Sequence, residues 1–170
     1  MADAVAIALE PDATRFIVRA GVAPLDGIGA AFGVALPRDV CRAATAGDRA
    51  ALWLGPDEWL LIAPDGEAEA LAEAMAKALT LQPASIVEIS DRQVGIAVSG
   101  PRAADVIAAF MPLDLDPAAF PVGMVTRTVF AKTEIVLWRT ADDAFRIEVW
   151  RSFAPYVMGS LAEAAREYAA

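Results

Sequence analysis

A chain of 170 residues is long enough for one ordinary globular domain and short for two. Its formal net charge of −9 lacks the basic footprint that phosphate neutralisation demands, so no nucleic-acid partner is expected. The absence of histidine removes the commonest general base, the usual metal ligand and the base of most catalytic triads. The single cysteine, Cys41, cannot form an internal disulfide or a thiolate zinc site, and reads as a small packed hydrophobe. Lysine occurs only as Lys77 and Lys132, which leaves a thin catalytic toolkit. The start Met1-Ala2-Asp3-Ala4 has no basic, apolar signal segment. Uncharged stretches such as residues 27–37 reach about half of the ~20 residues that a membrane span needs. A cytoplasmic protein with no membrane partner is expected.

In chain order, the hydrophobic pattern switches between period two and period 3.6. Residues 7–10 and 14–20 read as a hairpin turned by Pro11-Asp12. Residues 25–32 look helical despite their glycines. Residues 50–54 and 58–63 read as strands joined by Gly55-Pro56-Asp57. Residues 67–79 form a helix with Leu71, Met75 and Leu79 on one face, acidic at its start and with Lys77 in its last turn. Strands follow at 85–89 and 94–99, then a helix from Pro101 to Phe110 that Pro112 cannot continue. Residues 124–131, 134–139 and 144–151 read as three strands. A final helix over 153–168 lines one face with Phe153, Tyr156, Val157, Leu161 and Ala164.

The two halves echo each other. Asp57, Trp59, Leu61 and Ala63 correspond to Asp143, Phe145, Ile147 and Val149, each set preceding an amphipathic helix. Ala30-Ala31-Phe32 echoes Ala108-Ala109-Phe110. The expected fold is α+β: one domain over 1–170, built from two pseudo-repeated halves, about 1–80 and 81–170, of antiparallel or mixed sheet with helices.

Few residues suggest chemistry. Ser99-Gly100-Pro101 sits at a strand-to-helix junction, where free N–H groups can hold anions, but Pro101 removes a donor and a helix start explains it. Asp114 and Asp116 alternate with leucines in a way that suits a turn better than a carboxylate pair. Ser90-Asp91-Arg92-Gln93 reads as a polar loop between two apolar strands, with Arg92 solvated, paired to a carboxylate or, with Gln93, used in binding. Glu58, Leu60 and Ile62 face opposite Trp59, Leu61 and Ala63, so that strand is covered on both sides. Trp150, Arg151 and Ser152 end a strand, and Trp with Arg is enriched in interface hot spots. The candidate subunit interface is therefore Trp150, Arg151, Ser152, Arg92 and Gln93. No catalytic, cofactor or metal residue is nominated.

Three motifs carry a family resemblance. Leu54-Gly55-Pro56-Asp57-Glu58-Trp59-Leu60-Leu61, then Pro112-Leu113-Asp114-Leu115-Asp116-Pro117 with Phe120-Pro121, then Trp150-Arg151-Ser152-Phe153-Ala154 resemble signatures of the gamma subunit of heterotetrameric sarcosine oxidase. The likeness runs from about Leu52 to the C-terminal helix, and departs from the family pattern at Asp91 and Met111. Val87-Glu88-Ile89-Ser90 with Val98-Ser99-Gly100-Pro101-Arg102-Ala103 is also similar to the folate-binding aminomethyltransferase superfamily, whose α+β halves are duplicated.

The resemblance implies a non-catalytic subunit beside alpha, beta and delta partners. That complex demethylates sarcosine to glycine, with hydrogen peroxide as a product and tetrahydrofolate capturing the one-carbon unit. FAD, FMN, NAD and tetrahydrofolate would belong to the partner subunits, with no cofactor in this chain. A stand-alone folate-binding or folate-dependent transferase is the alternative, and an interaction module of another assembly a third. Fold likeness by itself does not choose among them.

Overall fold

The computed structural model describes residues 4–79 and 82–168; the Met1-Ala2-Asp3 start lies outside them. The described elements run β1 (Ala6–Leu9), β2 (Ala13–Ala20), α1 (Leu25–Phe32), β3 (Ala43–Ala46), β4 (Arg49–Gly55), β5 (Glu58–Pro64) and α2 (Ala68–Ala78). They continue as β6 (Ala84–Glu88), β7 (Gln93–Ser99), α3 (Ala103–Ala108), β8 (Val125–Phe130), β9 (Thr133–Ala141), β10 (Ala144–Trp150), a 3₁₀ turn (Arg151–Phe153) and α4 (Ala154–Ala165). The fold is α+β. Its two five-stranded sheets have the orders β3-β4-β5-β2-β6 and β8-β9-β10-β7-β1, with every pairing antiparallel. No helix among the described residues is long and apolar enough to cross a membrane.

The chain divides into two compact units. One is Asp12–Asp91; the other joins the N-terminal segment through Pro11 to the chain from Arg92 onward. The division falls at Asp91 and Pro11, not near residue 80. The cause is strand pairing: β6 adds to β2 of its own sheet, and β1 adds to β7. The two strand orders match element for element, with β1 taking in one unit the place that β6 takes in the other. The repeat is thus architectural. Strands β5 and β10 begin at Glu58 and Ala144, 86 residues apart, whereas α1 and α3 begin at Leu25 and Ala103, 78 apart. The difference lies in the longer α3–β8 loop and the longer strands β8 and β9; the turns between strands have the same length in both units.

In the Asp12–Asp91 unit, alternate residues of the strands turn one apolar face to α1 and α2. Phe16 and Val18 of β2, Ala51 of β4, and Trp59, Leu61 and Ala63 of β5 meet Leu25, Ile28 and Phe32 of α1 and Leu71 and Met75 of α2. Each of the larger side chains among them contributes about 1.5–3 kcal/mol on leaving water. Leu60 and Ile62, on the other face of β5, are buried as well, as the two apolar faces of this strand require. The Trp59 indole Nε1 donates to the Pro37 carbonyl at 2.8 Å, which anchors the β4–β5 hairpin to the chain after α1.

In the other unit, Phe145, Ile147 and Val149 of β10 lie beside Ile96 and Val98 of β7 and Ile135 and Leu137 of β9. They pack on Val106 and Ile107 of α3 and on Ala154, Val157 and Leu161 of α4.

Four expectations are corrected here. The 7–10 and 14–20 strands form no hairpin: β2 is flanked on both sides by β5 and β6, so β1 has no free edge of β2 to join. The short strand β3 was not foreseen, because its Ala43–Ala46 sequence has no alternation. The helix after Pro101 is shorter than expected, Ala103–Ala108, with Pro101 in the preceding turn. The buried stripe of α4 is Ala154, Val157 and Leu161, spaced i, i+3, i+7. Phe153 and Tyr156, each one residue before a buried position, are rotated by a helical step of about 100° and are exposed.

Candidate interaction surface

The five residues nominated from sequence meet at one corner of the sheet that contains β7 and β10. Strand β10 ends where β7 begins, with Trp150 opposite Gln93. The pairing extends one step further, since the Arg151 N–H donates to the Arg92 carbonyl at 2.8 Å. The Arg92 guanidinium carbon sits 5.4 Å from the centre of the Trp150 ring. Arg92 lies on an indole face, a favourable cation–π geometry, and meets no carboxylate among the described residues. Trp150 remains 47 % exposed, and Arg151 and Ser152 are exposed beside it. Gln93 differs from the rest. It is the first residue of β7, only 7 % exposed, and its Oε1 has no hydrogen-bond partner among the described residues.

Sequence reasoning missed the aromatic strip that continues from this corner. Phe153 is 43 % and Tyr156 is 41 % exposed. A groove of about 430 Å³ follows along α4, lined by Phe110, Pro155, Tyr156, Gly159, Ser160 and Glu163. The signal was present in the spacing of Ala154, Val157 and Leu161, which already supply a complete buried stripe.

The other motifs serve the scaffold. Arg139 of β9 is 3 % exposed, and its Nη1 donates to the carbonyls of Leu115 (3.1 Å) and Phe120 (2.8 Å) while Nε donates to that of Asp142 (3.2 Å). It fastens the Pro112–Pro117 motif from below. Asp114 Oδ1 accepts from the Asp116 N–H and Asp116 Oδ1 from the Ala118 N–H, so both carboxylates shape the loop. At the Ser99-Gly100-Pro101 junction the donors are spent: Gly100 N–H donates to the Asp143 carbonyl and Arg102 N–H to the Ala4 carbonyl. No anion cradle is left there. Among the described residues no group of three or more His, Cys, Asp or Glu side chains could hold a metal ion.

One buried charged cluster was not foreseen. Glu148, 1 % exposed, accepts from Arg146 Nε at 2.8 Å, and Glu10 lies 3.7 Å from Arg146 Nη1. Gly95 makes room for it, since a Cβ there would stand 2.9 Å from Arg146 Nη2 and 3.0 Å from Glu148 Oε1. The sequence showed Arg146 and Glu148 on one strand face but gave no sign that this face is buried.

A five-stranded antiparallel sheet with two helices, occurring twice, is an α+β fold class shared with aminomethyltransferases. Aminomethyltransferase T of the glycine cleavage system from Bartonella henselae shares this fold, with a TM-score of 0.71 at 15% identity over 92% of this chain and 45% of its own. Within that class the chain belongs to the sarcosine oxidase, gamma subunit family, whose model matches residues 19–167. Sarcosine oxidase subunit gamma of Arthrobacter sp is 36% identical over 160 residues, 92% of this chain and 78% of that protein. The heterotetrameric sarcosine oxidase from Corynebacterium sp. U-96, solved in complex with pyrrole 2-carboxylate, contains a chain that matches with a TM-score of 0.92 and 31% identity. The match covers 100% of this chain and 88% of that one.

Proposed function

We propose that this chain, acting as one gamma-like domain over residues 1–170, is the non-catalytic gamma subunit of a heterotetrameric sarcosine oxidase. It lends shape and contact area to alpha, beta and delta subunits. The partners carry out the oxidative demethylation of sarcosine to glycine, with hydrogen peroxide and methylenetetrahydrofolate as products. FAD, FMN, NAD and tetrahydrofolate fall to those subunits, and the complex works in the cytoplasm. The observation that carries the reading is the match of the entire chain to a chain of a heterotetrameric oxidase at 31% identity. The residue inventory supports the division of labour: no imidazole, two lysines and one thiol offer little for proton or electron transfer. The exposed corner of Trp150, Arg151, Ser152 and Arg92, with Gln93 beneath its edge in sequence register, is the interface in this reading.

The purified chain alone, given sarcosine, tetrahydrofolate and oxygen, is expected to form neither glycine nor peroxide. Turnover by the isolated chain would refute the assignment. Calorimetric titration with tetrahydrofolate separates the alternative: saturable heat on the isolated chain would favour a stand-alone folate-binding protein.

A further inference from the structure

Resting on the subunit reading above, we infer that the docking surface extends from the Arg92–Trp150 stack along the 3₁₀ turn and α4, and receives a segment of a partner subunit that presents a carboxylate followed by an apolar side chain. The carboxylate pairs with Arg92, and the apolar side chain enters the groove over Gly159.

Three observations lead there. First, the chain carries 23 acidic and 14 basic residues, so carboxylates are plentiful, and most of its surface arginines use them: Arg19 with Asp57, Arg38 with Asp26, Arg102 with Asp105, Arg166 with Glu163. Arg92 has none among the described residues; its guanidinium rests on Trp150 instead. A guanidinium held flat against an indole keeps its fork of donors available and loses little freedom on meeting a carboxylate. The Arg92 guanidinium is thus a positive charge that no carboxylate meets among the described residues, and that sets the chemistry of its partner.

Second, the apolar surface is continuous in chain geometry. Trp150 ends β10 with an extended backbone, and Phe153, three positions on, ends the 3₁₀ turn that leads into α4; both are exposed. Phe153, Tyr156, Gly159 or Ser160, and Glu163 then recur at three- and four-residue steps along α4, which places them on one face. This face is distinct from the buried stripe of Ala154, Val157 and Leu161.

Third, Gly159 has no role inside the chain. A Cβ added there meets nothing within 4 Å, and its backbone is helical, so neither packing nor conformation calls for glycine. Glycine weakens a helix interior. Here its effect is to keep the floor of the groove open between Phe110, Tyr156 and Glu163.

The test is co-expression of the full tagged chain with the alpha, beta and delta subunits, followed by measurement of the dissociation constant of the reassembled complex. Arg92→Glu and Gly159→Leu are each expected to weaken association by about tenfold or more. Arg42→Glu, the same reversal at an exposed arginine of the other unit, is expected to leave it unchanged. Melting of the purified Gly159→Leu chain should match or exceed the parent, which shows that the variant folds. Association of both variants with parental affinity would overturn this inference while leaving the subunit reading intact. Failure of the parent chain to assemble would sink both.

Discussion

Nη1 of Arg139 lies 3.1 Å from the carbonyl oxygen of Leu115, and this one bond ties strand β9 to the middle of the Pro-Leu-Asp-Leu-Asp-Pro motif. The same guanidinium also reaches Phe120 and Asp142, and its carbon stands 5.0 Å from the centre of the Phe145 ring. A planar fork can serve carbonyls on both sides of the strand; an ammonium cannot. Arg139→Lys should therefore cost about 2–4 kcal/mol, through unsatisfied carbonyls and a poorly placed buried charge. Urea denaturation monitored by tryptophan fluorescence measures it. A loss below about 0.5 kcal/mol would show that the motif is held in some other way.

Gly100 answers for the second family-like junction. Its φ is +117° and a Cβ would lie 2.8 Å from the Ala4 carbonyl oxygen, a backbone atom that cannot swing aside. Gly100→Ala is expected to lower stability by about 2 kcal/mol or more and to loosen β1 from β7. Hydrogen exchange at the amides of Ala8 and Glu10, which face β7, should speed up in this variant before exchange in the Asp12–Asp91 unit does.

Glu148 is buried and accepts from Arg146 Nε, while Glu10 stays 3.7 Å from Arg146 Nη1 as a second carboxylate. Glu148→Ala should cost about 1–3 kcal/mol, through the donor left unpaired on Arg146. Glu148→Gln, which keeps an acceptor for Arg146 Nε, should cost less. Equal losses in the two variants would mean that side-chain packing, rather than the charge, sets the contribution.

Trp59→Phe removes the indole bond to the Pro37 carbonyl while keeping an aromatic ring in the core. A loss of about 1–2 kcal/mol is expected, most of it from the orphaned carbonyl. Double replacement with a change at Trp53, its cross-strand partner, should be non-additive, since the two residues face each other in register.

Much of the architecture is written in local pattern. The α1 limits, the β4–β5 hairpin around Gly55-Pro56-Asp57, and the buried Leu71 and Met75 of α2 all follow from periodicity and turn chemistry. What periodicity does not carry is pairing. The Pro11-Asp12 turn suggests a hairpin, yet β1 finds its partner in β7, some 90 residues further on, because both edges of β2 are taken by β5 and β6. Face assignment fails where two readings share a helix: aromatic Phe153 and Tyr156 look like core, but the smaller Ala154 and Val157 fill it. The interface corner was legible as residue types. Its assembly was not, because the register that sets Trp150 against Gln93 and lays Arg92 on the indole is a non-local fact.

The central claim is that this chain supplies contact and its partners supply chemistry. Native mass spectrometry of the active oxidase, purified through a tag on another subunit after co-expression, tests it most directly. The account predicts one copy of this chain in each active heterotetramer, and loss of that copy together with activity when Trp150 and Arg92 are both replaced by alanine. Full sarcosine turnover by a flavoprotein assembly from which this chain is missing would contradict it.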